Sequence, residues 1–153
     1  MNKNAFKKAI AMAKRGGGIA ACSREALSEA FNVPMGSLVA RRLGVAYTAF
    51  ITAVAKELPI NACRVLPPRV MAKELRRRQL LAVAIELAEA PGGNYATLTR
   101  EQIADAAGVT AARVAQVYTL PQLKADLCDW ALRNNRKRLL RQMAKNNDKL
   151  LDD

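Results

Sequence analysis

The stretch SREALSEAFNV at residues 23–33 has a counterpart 76 residues later, TREQIADAAGV at residues 99–109. The two align without a gap, and each opens with a hydroxyl residue suited to cap a helix. Each then closes on a residue that tolerates a left-handed turn, Asn32 or Gly108. The identical pairs are Arg24/Arg100, Glu25/Glu101, Ala30/Ala106 and Val33/Val109, and the conservative pairs are Leu27/Ile103 and Glu29/Asp105. The repeat predicts two related helical units in one chain.

The composition indicates an all-α fold. Hydrophobic residues make up 51% of the 153 residues, and there are only three Phe, three Tyr and one Trp. Much of the apolar content is alanine, which is the best helix former and a poor strand former. We therefore expect two small tandem helix-turn-helix units related by internal duplication.

Helix signals before and after the repeated stretch support this expectation. A helix over residues 4–15 ends at Gly16-Gly17-Gly18, and a long helix over 71–90 ends at Pro91-Gly92-Gly93. Matches continue upstream at an offset of 75, with Ala9/Ala84, Ile10/Ile85 and Ala13/Ala88. Further helices are expected from Pro34 through Arg42, over 46–57, over 100–107, over 110–117, and over 121–145 with one interruption.

Domain boundaries follow from these signals. Three prolines fall within residues 58–70, where helical periodicity is lost, and this segment is predicted to be a semi-rigid linker. The expected organisation is a first unit at 1–57, a linker at 58–70, a second unit at 71–145, and a frayed polar tail at 146–153.

The charge indicates a polyanionic partner. The formal net charge is +12, the isoelectric point is near 10.2, and both halves contribute, +8 from residues 1–75 and +4 from residues 76–153. Positive charge of this size favours binding to nucleic acid through attraction and counterion release. An inert basic surface is the alternative.

Several function classes are disfavoured. The chain has no histidine to act as a general base, and no glycine loop precedes a Lys and Ser/Thr as a phosphate-binding loop requires. We therefore expect neither catalysis nor a cofactor. The cysteines, Cys22, Cys63 and Cys128, lack the spacing of a zinc site and are expected to be reduced in a cytoplasmic protein. The cysteine spacing therefore predicts no metal site. No apolar run is long enough to span a membrane, so no membrane partner is predicted.

The second repeat has the residues that a helix-turn-helix requires. Ala104 is small enough for close helix packing, and Gly108 permits a positive φ at the turn. Val109, Val114 and Val117 would anchor the following helix in the core. That anchoring would leave a base-reading face composed of Thr110, Ala111, Arg113 and Gln116. Arginine and glutamine suit this face, since they bind guanine and adenine edges in the major groove.

Residues 80–132 resemble the N-terminal DNA-binding domain of the TetR family of repressors. The similarity lies in Leu98-Thr99, Ile103-Ala104 and Ala107-Gly108-Val109, with Tyr118 at the second of the family's aromatic positions. Two features depart from the family pattern: Ala115 stands at the first aromatic position, and the usual lysine near Pro121 is absent. The resemblance implies sequence-specific DNA binding through residues 110–117. It does not imply a small-molecule ligand, because only about twenty residues follow the matched region.

The first repeat is less typical at the positions that would face DNA. Its turn is Phe31-Asn32-Val33, and Ser37 and Arg41 are its base-reading candidates. A degenerate copy that serves for packing or dimerisation is the alternative. Backbone phosphates are expected to be contacted by hydroxyl and arginine side chains of both units, namely Thr99, Arg100, Arg76, Arg77, Arg78, Arg42, Arg136 and Arg138.

The expected function is sequence-specific binding of double-stranded DNA, in transcriptional regulation or in plasmid or phage DNA maintenance or transfer. The alternative is a helical interaction protein that binds a protein partner or an RNA. The sequence leaves open whether the working unit is a monomer or a homodimer.

Overall fold

The computed structural model describes residues 1–70 and 72–152, with side chains described up to residue 145. All regular structure in these residues is helical, which confirms the all-α prediction. The α-helices are α1 (Lys3–Arg15), α2 (Arg24–Phe31), α3 (Tyr47–Lys56), α4 (Lys73–Glu89), α5 (Arg100–Ala107), α6 (Ala111–Val117), α7 (Leu120–Arg133) and α8 (Lys137–Asp152). The chain forms two compact units, Met1–Gln79 and Leu80–Asp153.

Helix α1 packs into the first unit through a row of alanines. The side chain of Asn2 caps the helix by accepting hydrogen bonds from the backbone N–H groups of Asn4 and Ala5. Ala5, Ala9 and Ala13 are buried, and these small side chains allow close approach of the neighbouring elements. Within the three-glycine stop, Gly18 is also required sterically. A Cβ on Gly18 would lie 2.6 Å from the Ala62 carbonyl oxygen, so the backbones approach closely there.

The segment after α2 departs from the predicted helix over Pro34 to Arg42. It consists of a 3-10 turn, Met35–Ser37, followed by a short π-helix, Val39–Leu43. Leu38 and Leu43 are both buried, although five residues apart they would point about 140° apart on an α-helix. The π-type bond from the Gly44 N–H to the Val39 carbonyl, 3.1 Å long, lets both leucines face the core.

The segment predicted to be a linker, residues 58–70, belongs to the first unit. Leu58, Cys63 and Val70 are buried in its core, and Ile60–Cys63 forms a 3-10 turn. The Arg78 guanidinium reaches back to the Leu58 carbonyl at 3.2 Å. The division between the units falls at 79/80 because apolar residues at irregular spacing bury this proline-containing segment in the core of the first unit. The sequence prediction relied on helical periodicity and did not detect them.

In the second unit, helix α4 is followed by a turn that helix α8 holds in place. The Arg138 guanidinium and the Gln142 amide donate to the Gly93 carbonyl at 2.7 and 3.3 Å. The predicted interruption of the last helix occurs between α7 and α8, where Asn135 has a φ of 51°. The backbone of α8 extends to Asp152, over most of the interval 146–153 that was predicted to be a frayed tail. The side chains of that interval lie outside the described residues.

The buried positions of the two units follow the sequence repeat. Along α1 and α4 the buried pairs are separated by 75 residues, and from α2 onward they are separated by 76. These pairs include Ala5/Leu80, Ala9/Ala84, Ala13/Ala88, Leu27/Ile103, Leu38/Val114, Tyr47/Leu123, Ile51/Leu127, Ala55/Ala131 and Cys63/Leu139. The offset therefore persists well beyond the eleven residues that reveal it in the sequence. Within the described residues, no helix has the length and apolar character needed to cross a bilayer.

Candidate nucleic-acid interface

A capping box fixes the start of helix α5. The Thr99 hydroxyl accepts from the Gln102 backbone N–H at 3.2 Å, and the Gln102 side chain accepts from the Thr99 N–H at 3.0 Å. Two backbone donors that would otherwise lack partners are thus satisfied. Thr99, predicted to contact phosphate, therefore has a structural role in the helix start.

The turn between α5 and α6 has the geometry that the sequence predicted. Gly108 has a φ of 72°, and its N–H bonds back to the carbonyl of Asp105. The Val109 N–H bonds to the Ala104 carbonyl at 3.0 Å, which closes the helix end. Ala104 and Ile103 are buried against the next helix. This local structure sets the direction in which α6 leaves α5.

Helix α6 has one buried face and one exposed face. Val114 and Val117 are each 1% exposed and anchor the helix, and Tyr118 is buried directly after it. The Tyr118 hydroxyl donates to the Asp126 carboxylate on α7. The burial of Val114 and Val117 is as predicted, whereas Val109, the third predicted anchor, is only partly buried.

Of the predicted base-reading residues, Gln116 lies on the face opposite the two buried valines of α6, whereas Arg113 and Ala111 border the buried face. Gln116 is exposed, and Arg113 and Ala111 are partly exposed. The Arg113 guanidinium lies 3.5 Å from the Gln116 side-chain oxygen, so the two polar groups form one patch. The Thr110 hydroxyl accepts from the Arg113 backbone N–H at 3.1 Å and caps the helix. The four candidates of this unit are therefore together on one short helix.

Side chains of α7 and α8 contact Tyr95, which lies in the segment before α5. The Tyr95 N–H donates to the Gln142 side chain at 2.9 Å, and the Cys128 thiol lies 3.6 Å from the Tyr95 hydroxyl. Burial, followed by the hydrogen bond with Cys128, raises the pKa of Tyr95 to about 12. The Lys124 ammonium lies 5.3 Å from the centre of the Tyr95 ring. These contacts hold the segment that leads into α5.

Two of the predicted phosphate contacts are used inside the second unit. The Arg136 guanidinium pairs with the Glu89 carboxylate and lies 5.7 Å from the centre of the Trp130 ring. Arg138 donates to the carbonyls of Ala90 and Gly93 at the end of α4. Both side chains keep exposed surface, but their first role is to join α8 to α4.

The remaining predicted phosphate contacts are divided between the units. Arg76, Arg77 and Arg78 open α4 and belong to the first unit, and Arg76 donates to the Gln79 side chain at 2.5 Å. Arg77 is exposed, whereas Arg76 and Arg78 are partly buried. Arg100 is partly buried at the start of α5 in the second unit.

The base-reading candidates of the first unit do not lie on an α-helix. Ser37 ends the 3-10 turn and is partly buried, while Arg41 and Arg42 are exposed on the π-helix. The structure therefore does not give this unit a reading helix comparable with α6. Its two exposed arginines are still available to an anion.

The positive charge lies mainly in the first unit. Residues 1–79 contain 15 lysine and arginine residues against four acidic residues, a net +11, whereas residues 80–153 contain ten against nine, a net +1. The charge balance predicted for the halves shifts because Arg76, Arg77 and Arg78 fall on the first side of the boundary. Helix α5 itself carries the exposed acids Glu101 and Asp105.

The sequence prediction missed the lysines of α1. Lys3, Lys7 and Lys14 are exposed, and their spacing of four and seven residues was the signal that places them on one helix face. No group of three potential metal ligands occurs in the part of the chain that the structure describes. No protein-family model, curated protein or solved structure matches this chain.

Proposed function

We propose that the protein binds double-stranded DNA in a sequence-specific manner and that helix α6 reads the bases. In this proposal the chain is a helix-turn-helix DNA-binding protein. It acts either in transcriptional regulation or in the maintenance or transfer of plasmid or phage DNA. The proposal includes a TetR-like relationship for residues 80–132 and a cytoplasmic location. It involves no enzymatic activity and no small-molecule ligand.

The observation that carries the proposal is that the partly exposed Arg113 and the exposed Gln116 lie together on a firmly anchored short helix. Val114 and Val117 fix α6 in the core, and the turn at Gly108 fixes its direction from α5. The two polar side chains lie 3.5 Å apart, and each has a group that can bond a base edge bidentately. Such a helix can enter a major groove, where arginine selects guanine and glutamine selects adenine.

The repeated burial pattern supports an origin by internal duplication. Buried positions in both units share an offset of 75 or 76 residues, and both α2 and α5 end in the same pattern of hydrogen bonds. In our proposal, the first unit has lost the reading helix, because residues 35–43 are wound to bury Leu38 and Leu43 together. Base reading is therefore assigned to the second unit alone.

The proposal can be tested by first selecting a preferred duplex from a randomised DNA library. Arg113→Ala and Gln116→Ala should then reduce the preference for that duplex over random DNA about tenfold to a hundredfold each, since a bidentate base contact provides about 1–3 kcal/mol of discrimination. Binding to random duplex should change little. Fluorescence anisotropy with both duplexes measures the ratio.

The matched controls are Arg133→Ala and Gln122→Ala, which remove the same residue types from exposed positions of α7. These variants should leave the preference unchanged. Failure to select any preferred duplex, or equal effects of the α6 and α7 variants, would contradict the proposal. Tighter binding to a structured RNA than to every duplex would also overturn it, in favour of an RNA-binding protein.

A further inference from the structure

Helix α1 has a charge distribution that packing does not explain. It carries five basic side chains, Lys3, Lys7, Lys8, Lys14 and Arg15, and no acidic one. Among the described residues, four of them form no ion pair, hydrogen bond or cation–π contact through the side chain, while Lys8 donates to the Ala30 carbonyl at 2.8 Å. Helix faces that are merely solvated usually mix charges of both signs. An unpaired, acid-free face is therefore a candidate anion-binding surface.

The exposed lysines form a straight row. At about 100° per residue, Lys3, Lys7 and Lys14 lie within an arc of about 40° around α1. They rise about 6 Å and then about 10 Å along the axis at 1.5 Å per residue. Duplex DNA carries one negative charge for about every 1.7 Å of its axis, so lysines spaced this far apart can each reach a separate phosphate.

The π-helix continues this basic surface. The Asn2 N–H donates to the Leu43 carbonyl at 3.0 Å, which brings the start of α1 next to the end of the π-helix. Arg42 and Lys8 line the same open cavity of about 340 Å³. Arg42 therefore lies close to the start of α1, and we call Lys3, Lys7, Lys14 and Arg42 the α1 basic surface.

The apolar face of α1 narrows the choice of partner. Basic amphipathic helices bind membranes by inserting their apolar side, but Ala5, Ala9 and Ala13 are buried and Phe6 packs edge-to-face on Phe50 at 6.3 Å. That face is occupied by the core of the unit. Only the charged face is available, and a charged face without an apolar one suits a hydrated polyanion.

We infer that the α1 basic surface binds the phosphate backbone of duplex DNA without reading its sequence. The inference rests on the proposed function, in which α6 reads the bases. The α1 basic surface supplies positive charge that the second unit lacks, since the second unit has a net charge near zero and two exposed acidic residues on α5. The first unit, which has no reading helix, thus provides most of the electrostatic attraction.

The test is the salt dependence of binding to random duplex DNA. The triple variant Lys3→Gln/Lys7→Gln/Lys14→Gln removes three positive charges, and glutamine is a good helix former that should keep α1 intact. Its plot of log affinity against log salt concentration should lose about 2 to 3 units of slope, at about 0.9 per phosphate contact. The ratio between selected and random duplex should stay within about twofold of the parent value. Circular dichroism confirms that the helices are retained.

The matched control is Lys56→Gln/Arg69→Gln/Lys73→Gln, which removes three exposed charges from the same unit outside this surface. Its slope should change by less than about 1. An equal slope change in both triple variants would overturn the inference while leaving the proposed function intact.

Two more outcomes would also count against the inference. If the α1 variant lost slope only with duplex RNA, or only with vesicles of anionic lipid, the partner would be that RNA or lipid surface. Arg113→Ala run in the same series separates the two proposals. If it alters duplex preference while the α1 variant leaves the slope unchanged, only the α1 inference fails.

Discussion

The α2 turn and the α5 turn are nearly the same structure, yet the segments after them differ. Asn32 and Gly108 both adopt left-handed φ values, 53° and 72°. In both turns the next N–H bonds back five residues, Val33 to Ser28 and Val109 to Ala104. After the turns, one unit forms α6 and the other forms a 3-10 turn and a π-helix.

The difference lies in the spacing of buried residues. Val114 and Val117 are three apart, which an α-helix accommodates on one face. Leu38 and Leu43 are five apart, which requires the wider π-helix to bury both. Gly36 further weakens any α-helix there, by about 1 kcal/mol relative to alanine. A turn motif can therefore be kept while the helix it should orient is lost.

The largest effect is expected where the two units are most alike. Leu27 and Ile103 are equivalent positions with no exposed surface. Replacing either by alanine should lower the free energy of unfolding by about 3 kcal/mol, within the 2–5 kcal/mol typical of buried aliphatic residues. Urea denaturation followed by circular dichroism measures both. A loss below about 1 kcal/mol at one position and a full loss at the other would break the equivalence of the two units.

A smaller effect is expected at high pH, where the two units should differ in stability. Burial raises the pKa of the Cys22 thiol from 9.0 to about 11, and burial likewise raises the pKa of Tyr47. The folded first unit holds these protons more tightly than the unfolded chain does. The stability that these protonated groups contribute is therefore fully present below about pH 9 and is lost as the pH rises toward 11, by about 2–3 kcal/mol from Cys22.

The single tryptophan makes this difference measurable. Trp130 lies on α7, so its fluorescence reports the second unit, whereas circular dichroism reports the helices of both. The circular dichroism signal should begin to fall at a lower pH than the fluorescence changes, and Cys22→Ala should move that first loss to higher pH. Coincident changes with both probes, unaffected by Cys22→Ala, would contradict the prediction.

The smallest effect concerns the turn residues themselves. A Cβ at Gly108 would meet no atom within 4 Å, so a substitution there acts only through the positive φ. Gly108→Ala should lower the free energy of unfolding by about 1 kcal/mol, whereas Gly108→Asn should cost only a few tenths, since asparagine tolerates this region. Thermal denaturation compares the two. Equal costs would mean that something other than backbone strain limits the α5 turn.

The sequence predicted most of the α-helices because their ends carry strong local signals. Ser23, Thr99 and Thr110 each cap a helix through a side-chain oxygen, and Asn32 and Gly108 end one. The positions of Val114 and Val117 were predictable for the same reason, since helical spacing leaves few ways to bury both.

The rest depended on contacts between distant residues. The prolines of 58–70 gave a correct indication of irregular backbone, but burial of Leu58, Cys63 and Val70 depends on contacts with the whole unit. Similarly, nothing local to Arg138 indicates that it donates to the Gly93 carbonyl, 45 residues earlier in the chain. Candidate phosphate contacts chosen by charge alone therefore included side chains already engaged within the protein.

Helix α4 has a consequence for any attempt to express the two units separately. It starts in the first unit, where Leu75 completes the core, and it ends in the second, where Leu80, Ala84 and Ala88 are buried. A fragment that stops at residue 57 would lack Leu58, Cys63, Val70 and Leu75 and would leave a gap where they pack. A fragment boundary chosen from the sequence alone would therefore remove part of the first core, whereas a boundary at 79/80 would keep these four residues with it.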